Sequence, residues 1–219
     1  MEKESTKFMD KFREKGFRYE PPFFYNNKYA LRCELGVGKN KKAYMRKSYQ
    51  TAVQIFDKLF ETRPNCIIFE HYIYDLTLPL AEGAFENTRM LADHYREGLD
   101  DLRRLQALGR CETIREIDRT DEEMESDVLA INRFIVYEDK KEIDYKGLIR
   151  NQVGIQSKLS KCHVIHFISD KDDFVLTIYD DRGLDVVFSS KGKGKLFYEK
   201  LKPYLLEYDS ERMRKTFEH

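Results

Sequence analysis

Three carboxylates and one guanidinium lie in a short run near the end of the sequence, at Asp180, Asp181, Arg182 and Asp185. Two carboxylates that converge can hold a metal ion or work as an acid/base pair. Turn chemistry explains the same residues, because an Asp can bond the backbone two positions on, Gly183 can adopt the positive φ of a tight turn, and Arg182 neutralises the acids. We therefore interpret the cluster as a turn. If it binds a ligand instead, the residues to do so are Tyr179, Asp181, Arg182 and Asp185, with Tyr208 and Asp209 as neighbours.

A glycine-containing loop is the second place where the residue types could do chemistry. The strand-like run 29–35 is followed by Gly36, Val37, Gly38 and Lys39, and then by a helical pattern. A helix N-terminus offers free N–H groups to a phosphate, and Lys39 would add positive charge. Neither complete phosphate-binding motif, G-x-G-x-x-G or G-x-x-x-x-G-K-[ST], is present. We therefore interpret this stretch as an ordinary strand-to-helix loop and keep Lys39 as its candidate ligand-binding residue.

Histidine and cysteine do not form a metal-binding pattern. His163 and His166 are three positions apart in a strand-like run, so their side chains point to opposite faces and cannot share one metal ion unless the strand is bulged. Cys162 shares a face with His166, but two ligands do not make a zinc site. The cysteines form no C-x-x-C pair, and no G-x-S-x-G or comparable catalytic signature is present. We expect no metal, no cofactor and no catalytic residue.

Charge is balanced over the 219 residues, with 39 Lys and Arg against 39 Asp and Glu. A chain without a global basic excess has no long-range attraction to nucleic acid or acidic membranes, although a local patch can still exist. The N-terminus shows no apolar signal-peptide region, and no apolar run approaches the roughly 20 residues of a membrane span. We expect a cytoplasmic protein that binds a protein partner and neither a membrane nor nucleic acid.

Alternating hydrophobicity organises the sequence around residues 173–188. Apolar residues alternate with others in 174–179 and again in 184–188, on both sides of a polar break, and this predicts a β-hairpin. Strand patterns also occupy 29–35, 65–74, 128–137 and 162–169, while 110–119 reads as a strand or an irregular crossing.

Helical periodicity separates these strands. It occupies 4–15, 41–60, 86–108, 144–153, 194–206 and a last short stretch ending near 217. Pro203 should kink or divide the helix predicted over 194–206. The order of elements predicts a single α+β domain over residues 1–219, with a mostly antiparallel sheet, helices packed on one face, and a possible seam near 110–127.

Several of these stretches also resemble one protein family. The run from Ile178 to Val186, the helix with Tyr198 and Leu201, and residues 206–211 resemble the C-terminal block of a bacterial family known as domain of unknown function 3885. The run 31–36 with the helix after it is similar to the N-terminal block of that family, and 143–146 also fits. The family has no established activity, so the resemblance implies a fold and a bacterial origin but no catalytic residue.

Two hypotheses of function follow. The lack of a catalytic constellation, together with 14 tyrosines of the kind enriched at interfaces, favours a non-catalytic protein that binds another macromolecule, in the manner of an immunity or adaptor protein. The alternative is an enzyme or small-ligand protein that binds phosphate at the Gly36–Gly38 loop or uses the Asp180–Asp185 turn.

Overall fold

The computed structural model describes residues 10–18, 22–36, 40–60, 63–64, 66–74, 100, 103, 110–116, 128–137, 143–154 and 163–218. Seven strands of these residues form one sheet in the order β1-β7-β6-β5-β2-β4-β3. The strands are β1 (Ala30–Glu34), β2 (Cys66–Tyr74), β3 (Arg110–Glu116), β4 (Val128–Tyr137), β5 (His163–Ser169), β6 (Phe174–Ile178) and β7 (Gly183–Phe188). Every described pair of neighbouring strands is antiparallel.

The predicted hairpin is present as β6 and β7. Phe174 lies opposite Phe188, and Ile178 lies opposite Leu184. All residues of both strands are buried, because β5 and β1 pair with their outer edges and other elements cover both faces. The alternation of large apolar residues therefore marks two central strands of the sheet.

The prediction that Gly183 adopts a positive φ was wrong. Among the described glycines only Gly16 has a positive φ, of 83°, at the end of the N-terminal helical segment 10–14. Gly183 is instead needed for close packing at the start of β7. A Cβ there would overlap the hydroxyl of Tyr179 and lie 2.8 Å from the backbone oxygen of Cys33.

Five α-helices with described bounds follow the N-terminal segment 10–14. They are α1 (Phe23–Asn26), α2 (Lys41–Leu59), α3 (Tyr145–Gly154), α4 (Lys191–Leu201) and α5 (Ser210–Phe217). The side chain of Asn40 accepts from the N–H of Ala43 at the start of α2. Asp144, the predicted N-cap of α3, accepts from the N–H of Gly147 at 2.9 Å. Ser190 caps α4, which is why that helix begins earlier than the apolar periodicity predicts.

Pro203 divides the predicted 194–206 helix, as expected. The α-helix ends at Leu201, and Lys202–Tyr204 continues as a single 3₁₀ turn. A second 3₁₀ turn, Glu207–Asp209, leads into α5. Between the two turns the chain follows the outer edge of β1, where Leu206 N–H donates to the Arg32 carbonyl at 2.9 Å. The edge strand is thus covered by the C-terminal segment, which brings Asp209 and α5 next to β1.

The long helices pack on one face of the sheet. The rings of Phe56 in α2 and Phe167 in β5 lie 5.2 Å apart, and Tyr145 of α3 lies 6.2 Å from Phe167. Phe197 of α4 lies 5.3 Å from Phe174 of β6. These aromatic contacts join three helices to the central strands, and the predicted α+β class with an antiparallel sheet is confirmed.

Short N-terminal elements contact the other face and one end of the sheet. Phe23 of α1 meets the His166 ring edge-on at 5.2 Å. Lys11 and Lys15 pair with Asp170 and Asp173 in the turn between β5 and β6. Phe12, between these lysines, is fully buried. The segment 10–14 and the adjoining Lys15 are therefore fixed to the sheet by one apolar and two ionic anchors.

Other predictions fall partly outside the described residues. Residues 4–9, most of 86–108, all of 117–127 and Cys162 belong to that group, although residues 100 and 103 are helical. The ambiguous stretch 110–119 contains the edge strand β3. The seam near 110–127 and the single-domain assignment stay predictions.

Candidate functional site

Arg32 and Asp185 form an ion pair whose side chains are 13% and 3% exposed. The two residues lie directly opposite each other on β1 and β7. Arg32 donates from Nε to Oδ1 at 2.8 Å and from Nη2 to Oδ2 at 3.0 Å, and the Phe24 N–H donates to Oδ2 at 3.1 Å. This is a bidentate, charge-assisted ion pair inside the protein.

Burial and charge act against each other at this pair. Burial raises the pKa of Asp185, while the Arg32 guanidinium and the Phe24 N–H oppose that shift. Burial alone would lower the pKa of Arg32, but the bond to Asp185 outweighs it, so this pKa is raised and Arg32 stays charged. Asp185 is thus committed to an internal partner, which suits a structural role better than a general base.

Tyr179 lies between two ion pairs. The Arg32 Cζ is 5.4 Å from its ring centroid. Burial raises the pKa of the Tyr179 hydroxyl, and the charge of Asp185 raises it further. The phenol therefore stays protonated at neutral pH and cannot act as a base there.

The turn residues Asp180 and Arg182 bond to each other. Asp180 accepts from the Arg182 backbone N–H at 2.8 Å and from its Nε and Nη2 at 2.9 and 2.6 Å. Asp180 is buried, whereas the Arg182 side chain is 64% exposed. The Oδ1 of Asp181 is buried without a hydrogen-bond partner among the described residues. Burial, aided by Asp180, raises the pKa of Asp181. This geometry agrees with the interpretation of a turn.

The glycine loop is described only in part. Val37, Gly38 and the candidate residue Lys39 lie outside the described residues. A Cβ at Gly36 would overlap the ring of Tyr44 in α2. The glycine at this position is therefore required by the packing of Tyr44 against the end of β1.

Aromatic rings surround the Arg32 guanidinium on its outer side. Its Cζ lies 4.9 Å from the Phe24 ring and 4.8 Å from the Tyr25 ring. A second guanidinium, that of Arg212 in α5, lies 4.9 and 5.4 Å from the same two rings. Arg212 Nη2 also donates to the backbone carbonyls of Phe24 and Tyr25 at 3.4 and 3.2 Å. The rings of α1 thus contact one buried and one exposed arginine.

Asp209 connects the buried ion pair to the surface. The Tyr25 hydroxyl donates to its Oδ1 at 3.1 Å, and its Oδ2 lies 3.8 Å from Arg32 Nη1. Burial and the bond to Asp209 raise the pKa of Tyr25, and Tyr208 adds to the shift. Asp209, named from the sequence as a neighbour of the turn cluster, therefore lies next to Arg32.

We call Tyr25, Tyr208 and Arg212 the aromatic surface. Tyr208 is 87% exposed and Tyr25 is 43% exposed, and the Arg212 side chain is also exposed. No carboxylate lies within ion-pair distance of Arg212 in the part of the chain that the structure describes. The surface combines two phenol rings with a cation whose position is fixed by stacking and by hydrogen bonds.

A row of polar side chains continues from Asp185 across the sheet. Thr177 lies opposite Asp185 and His166 lies opposite Thr177. His166 Nδ1 is 2.7 Å from Thr177 Oγ1, and its Nε2 is 3.3 Å from Glu70 Oε2. Hydroxyl, imidazole and carboxylate follow one another as in a catalytic triad, but Thr177 is only 3% exposed, so a substrate has no access to it. We interpret the row as structural.

The other histidine of β5 is packed against an aromatic ring. His163 is stacked on Phe69 at 5.3 Å, on the sheet face opposite to that of His166. This matches the alternation expected from the sequence. Among the described residues, no group of three potential ligands is placed to hold a metal ion.

A separate cavity of about 540 Å³ lies between α2 and α3. Phe56, Ile143 and Tyr145 provide apolar lining, and Arg63 and Lys146 are among its charged residues. Neither the Asp180–Asp185 turn nor Gly36 lines it. A cavity of this volume can hold a small molecule, but it does not involve the residues predicted for that purpose.

The fold and the site define an antiparallel α+β protein whose buried ion pair supports an exposed aromatic surface. The chain belongs to the family described as a domain of unknown function, DUF3885, whose model matches residues 7–209. No curated protein and no solved structure matches the chain. Within the described residues, no helix is both long enough and apolar enough to cross a membrane.

Proposed function

We propose that this chain is a non-catalytic bacterial protein of the cytoplasm that binds a macromolecular partner, in the manner of an immunity or adaptor protein. The observation that carries the proposal is the aromatic surface. Tyr208 and Tyr25 are exposed beside Arg212, whose charge no described carboxylate neutralises. Tyr and Arg are among the residues enriched at protein interfaces and at their energetic hot spots.

The order of this surface also favours binding. Arg212 is fixed by the Phe24 and Tyr25 rings and by two backbone carbonyls, and Tyr25 is fixed by Asp209. Immobilising a flexible side chain on association costs about 0.5–1.5 kcal/mol. Two of the three side chains are already ordered before a partner arrives, so this cost is reduced.

The acidic residues support the non-catalytic part of the proposal. Asp180 and Asp185 bond to Arg182 and Arg32, and Asp209 bonds to Tyr25. An acid/base pair needs carboxylates that face a shared substrate position. Each of these carboxylates is directed to an internal donor instead.

The test compares proteins captured by wild type with those captured by two surface variants, Tyr208→Ala and Arg212→Ala. We expect one protein to be enriched by wild type and lost with both variants, and purified partner to bind wild type at least tenfold more tightly in calorimetry. Arg46→Ala is the matched control, because Arg46 is an exposed arginine of α2 that lies outside the aromatic surface. Equal binding of the purified partner by wild type and both variants would contradict the proposal.

A ligand screen tests the alternative hypothesis. Phosphate, nucleotides and divalent cations are added singly, and the unfolding transition is measured. A ligand at a hundred times its Kd stabilises the folded state by about 2.7 kcal/mol. Such a shift, abolished by Asp181→Asn or Lys39→Gln, would replace the partner-binding proposal with a small-ligand function at the turn or the glycine loop.

A further inference from the structure

Four lysines gather where α4 begins beside the turn between β5 and β6. Lys191, Lys193 and Lys195 lie in the first two turns of α4. Lys193 Nζ donates to the backbone carbonyl of Lys171 at 3.4 Å, which brings the β5–β6 turn next to the helix. We call these four residues the lysine cluster.

The lysines of the cluster form no ion pair within the described chain, and Asp172, beside Lys171, accepts a hydrogen bond from Ser169 instead. None of its lysines has a described carboxylate within ion-pair distance, and the first turn of α4 contains no acid. The nearby carboxylates of Asp170 and Asp173 are already paired with Lys11 and Lys15. Positive charge at a helix N-terminus is also opposed by the helix dipole. The cluster therefore costs the isolated protein stability, and an external anion would offset that cost.

Gly192 adds a second cost without a structural reason. No heavy atom lies within 4 Å of the position of its missing Cβ, whereas a Cβ at Gly194 would overlap Phe217. A glycine within a helix costs about 1 kcal/mol relative to alanine. A glycine that lowers the stability of its helix and gains no close packing contact is expected where function requires it. At this exposed position the glycine leaves no side chain above the first turn of α4.

An exposed leucine lies next to the lysine cluster. Leu196 is 65% exposed, and it is one turn from Lys193 and one turn from Lys200 on the same stripe of α4. The one acidic residue beside it on α4, Glu199, lies 3.8 Å from Lys202. An apolar side chain flanked by long cationic ones is the pattern of elements that rest on membrane surfaces.

We propose that the lysine cluster docks the protein on an anionic lipid bilayer, with Leu196 entering the interfacial region. Lysine is depleted at protein–protein interfaces, which argues against a protein at this position. Binding of single-stranded nucleic acid uses exposed aromatic rings for stacking, and the exposed apolar residue here is aliphatic. This peripheral contact is independent of the aromatic surface and adds a second binding function to the one proposed above.

The test is flotation of the full chain with vesicles of phosphatidylcholine alone or mixed with phosphatidylserine. We expect binding only to the mixed vesicles, and release at high salt, because the Debye length falls from about 10 Å at 0.1 M to about 3 Å at 1 M. The K191Q/K193Q/K195Q variant should partition about a hundredfold less, at about 1 kcal/mol for each lysine near an anionic surface. Leu196→Gln should weaken binding about tenfold.

The control variant is K41Q/K42Q/K47Q, which removes the same charge from exposed lysines in the first two turns of α2. It should bind mixed vesicles like wild type. Equal binding by the two triple variants, or equal binding to both kinds of vesicle, would overturn the proposal. Binding of an RNA oligonucleotide without vesicle binding would also overturn it and would assign the cluster to nucleic acid.

Discussion

Asp185 is a buried carboxylate whose charge is compensated inside the protein. It accepts two hydrogen bonds from Arg32 and one from the Phe24 N–H, all inside the protein. Removing one partner of a buried ion pair costs about 3–5 kcal/mol, because the other charge stays buried without compensation. We expect Asp185→Asn to lower the free energy of unfolding by this amount in urea denaturation.

Two further variants test whether the loss of stability comes from a buried charge left without compensation. Lys215→Ala removes an ion pair with Glu211 in which both side chains are more than half exposed, and such pairs contribute at most about 1 kcal/mol. The double variant Arg32→Met/Asp185→Leu removes both charges, so no buried charge is left without compensation. We expect it to be more stable than Asp185→Asn. The remaining cost relative to wild type should be about 1–3 kcal/mol, because the Phe24 N–H loses its acceptor. If Asp185→Asn is no less stable than Lys215→Ala, the buried pair does not have the role assigned to it.

Two glycines should respond in opposite directions to the same substitution. A Cβ at Gly183 would overlap the Tyr179 hydroxyl and approach the Cys33 carbonyl, which belongs to the backbone and cannot rotate away. We expect Gly183→Ala to cost about 1–3 kcal/mol through overpacking. Gly192 has open space around its Cα, so Gly192→Ala should leave stability unchanged or raise it by up to about 1 kcal/mol. Thermal unfolding of both variants makes the comparison, and a stable Gly183→Ala protein would contradict it.

At the residue scale, the sequence indicates which side chains are polar but not which ones meet. Asp185 and Tyr179 are recognisable from the turn pattern. Arg32, which bonds Asp185, is 153 positions away in the sequence, and no local pattern connects the two. Arg212 and Tyr25 were missed for the same reason, since their contact depends on how α5 packs against α1.

At the element scale, local patterns predicted most of the described strands and helices because burial on a sheet or helix face repeats with a fixed period. The hairpin β6–β7 and helix α2 are the clearest cases. Strand order was not predictable in this way. β2 pairs with β4 and β5, which are both distant in sequence, and alternation alone does not choose between partners.

The anchor of the N-terminal segment should depend on pH. Burial alone would raise the pKa of Asp170, but the hydrogen bonds and charges of Lys11 and Lys15 outweigh it and lower the pKa below its ordinary value of 3.8. Because the folded pKa is lower than the unfolded one, the stabilisation is complete above the ordinary value and is lost as pH falls through the folded pKa. We expect Asp170→Asn to cost up to about 1 kcal/mol at neutral pH, because these pairs are partly exposed.

The measurement is urea denaturation of wild type and Asp170→Asn at neutral pH and below the folded pKa. The difference between them should disappear at the acidic end. Asp172→Asn is the control, because Asp172 accepts a hydrogen bond from Ser169 in the same turn and has no described lysine partner. If Asp170→Asn is still less stable than wild type in acid, the loss of stability does not come from the ion pairs with Lys11 and Lys15.

At the scale of the whole molecule, one polar row joins the core to the aromatic surface. It runs across the sheet from His166 through Thr177 and Asp185 to Arg32, and then reaches Tyr25 through Asp209. Every residue of β5, β6 and β7 is buried, and each of these strands has a hydrogen-bonded neighbour on both sides. The row therefore connects the aromatic surface to β5, β6 and β7, which we expect to unfold last.

Native-state hydrogen exchange can test this order of stability. We expect amides of β5, β6 and β7 to exchange only through global unfolding, because their hydrogen bonds are buried on both faces. Amides of residues 10–14 should exchange through a local opening of lower free energy, since one apolar residue and two ion pairs fix that segment. Exchange rates measured at increasing low denaturant concentrations distinguish the two routes.

Hydrogen exchange of the Asp185→Asn variant tests whether the polar row belongs to the part of the protein that unfolds last. If it does, Asp185→Asn should lower two quantities by the same amount. These are the free energy of exchange of the β5, β6 and β7 amides and the free energy of global unfolding. Protection of residues 10–14 should stay unchanged, because their local opening leaves Asp185 bonded to Arg32. If the β6 amides exchange faster than those of α5 in the wild-type protein, the central strands are not the last to open, and the aromatic surface is supported by another part of the fold.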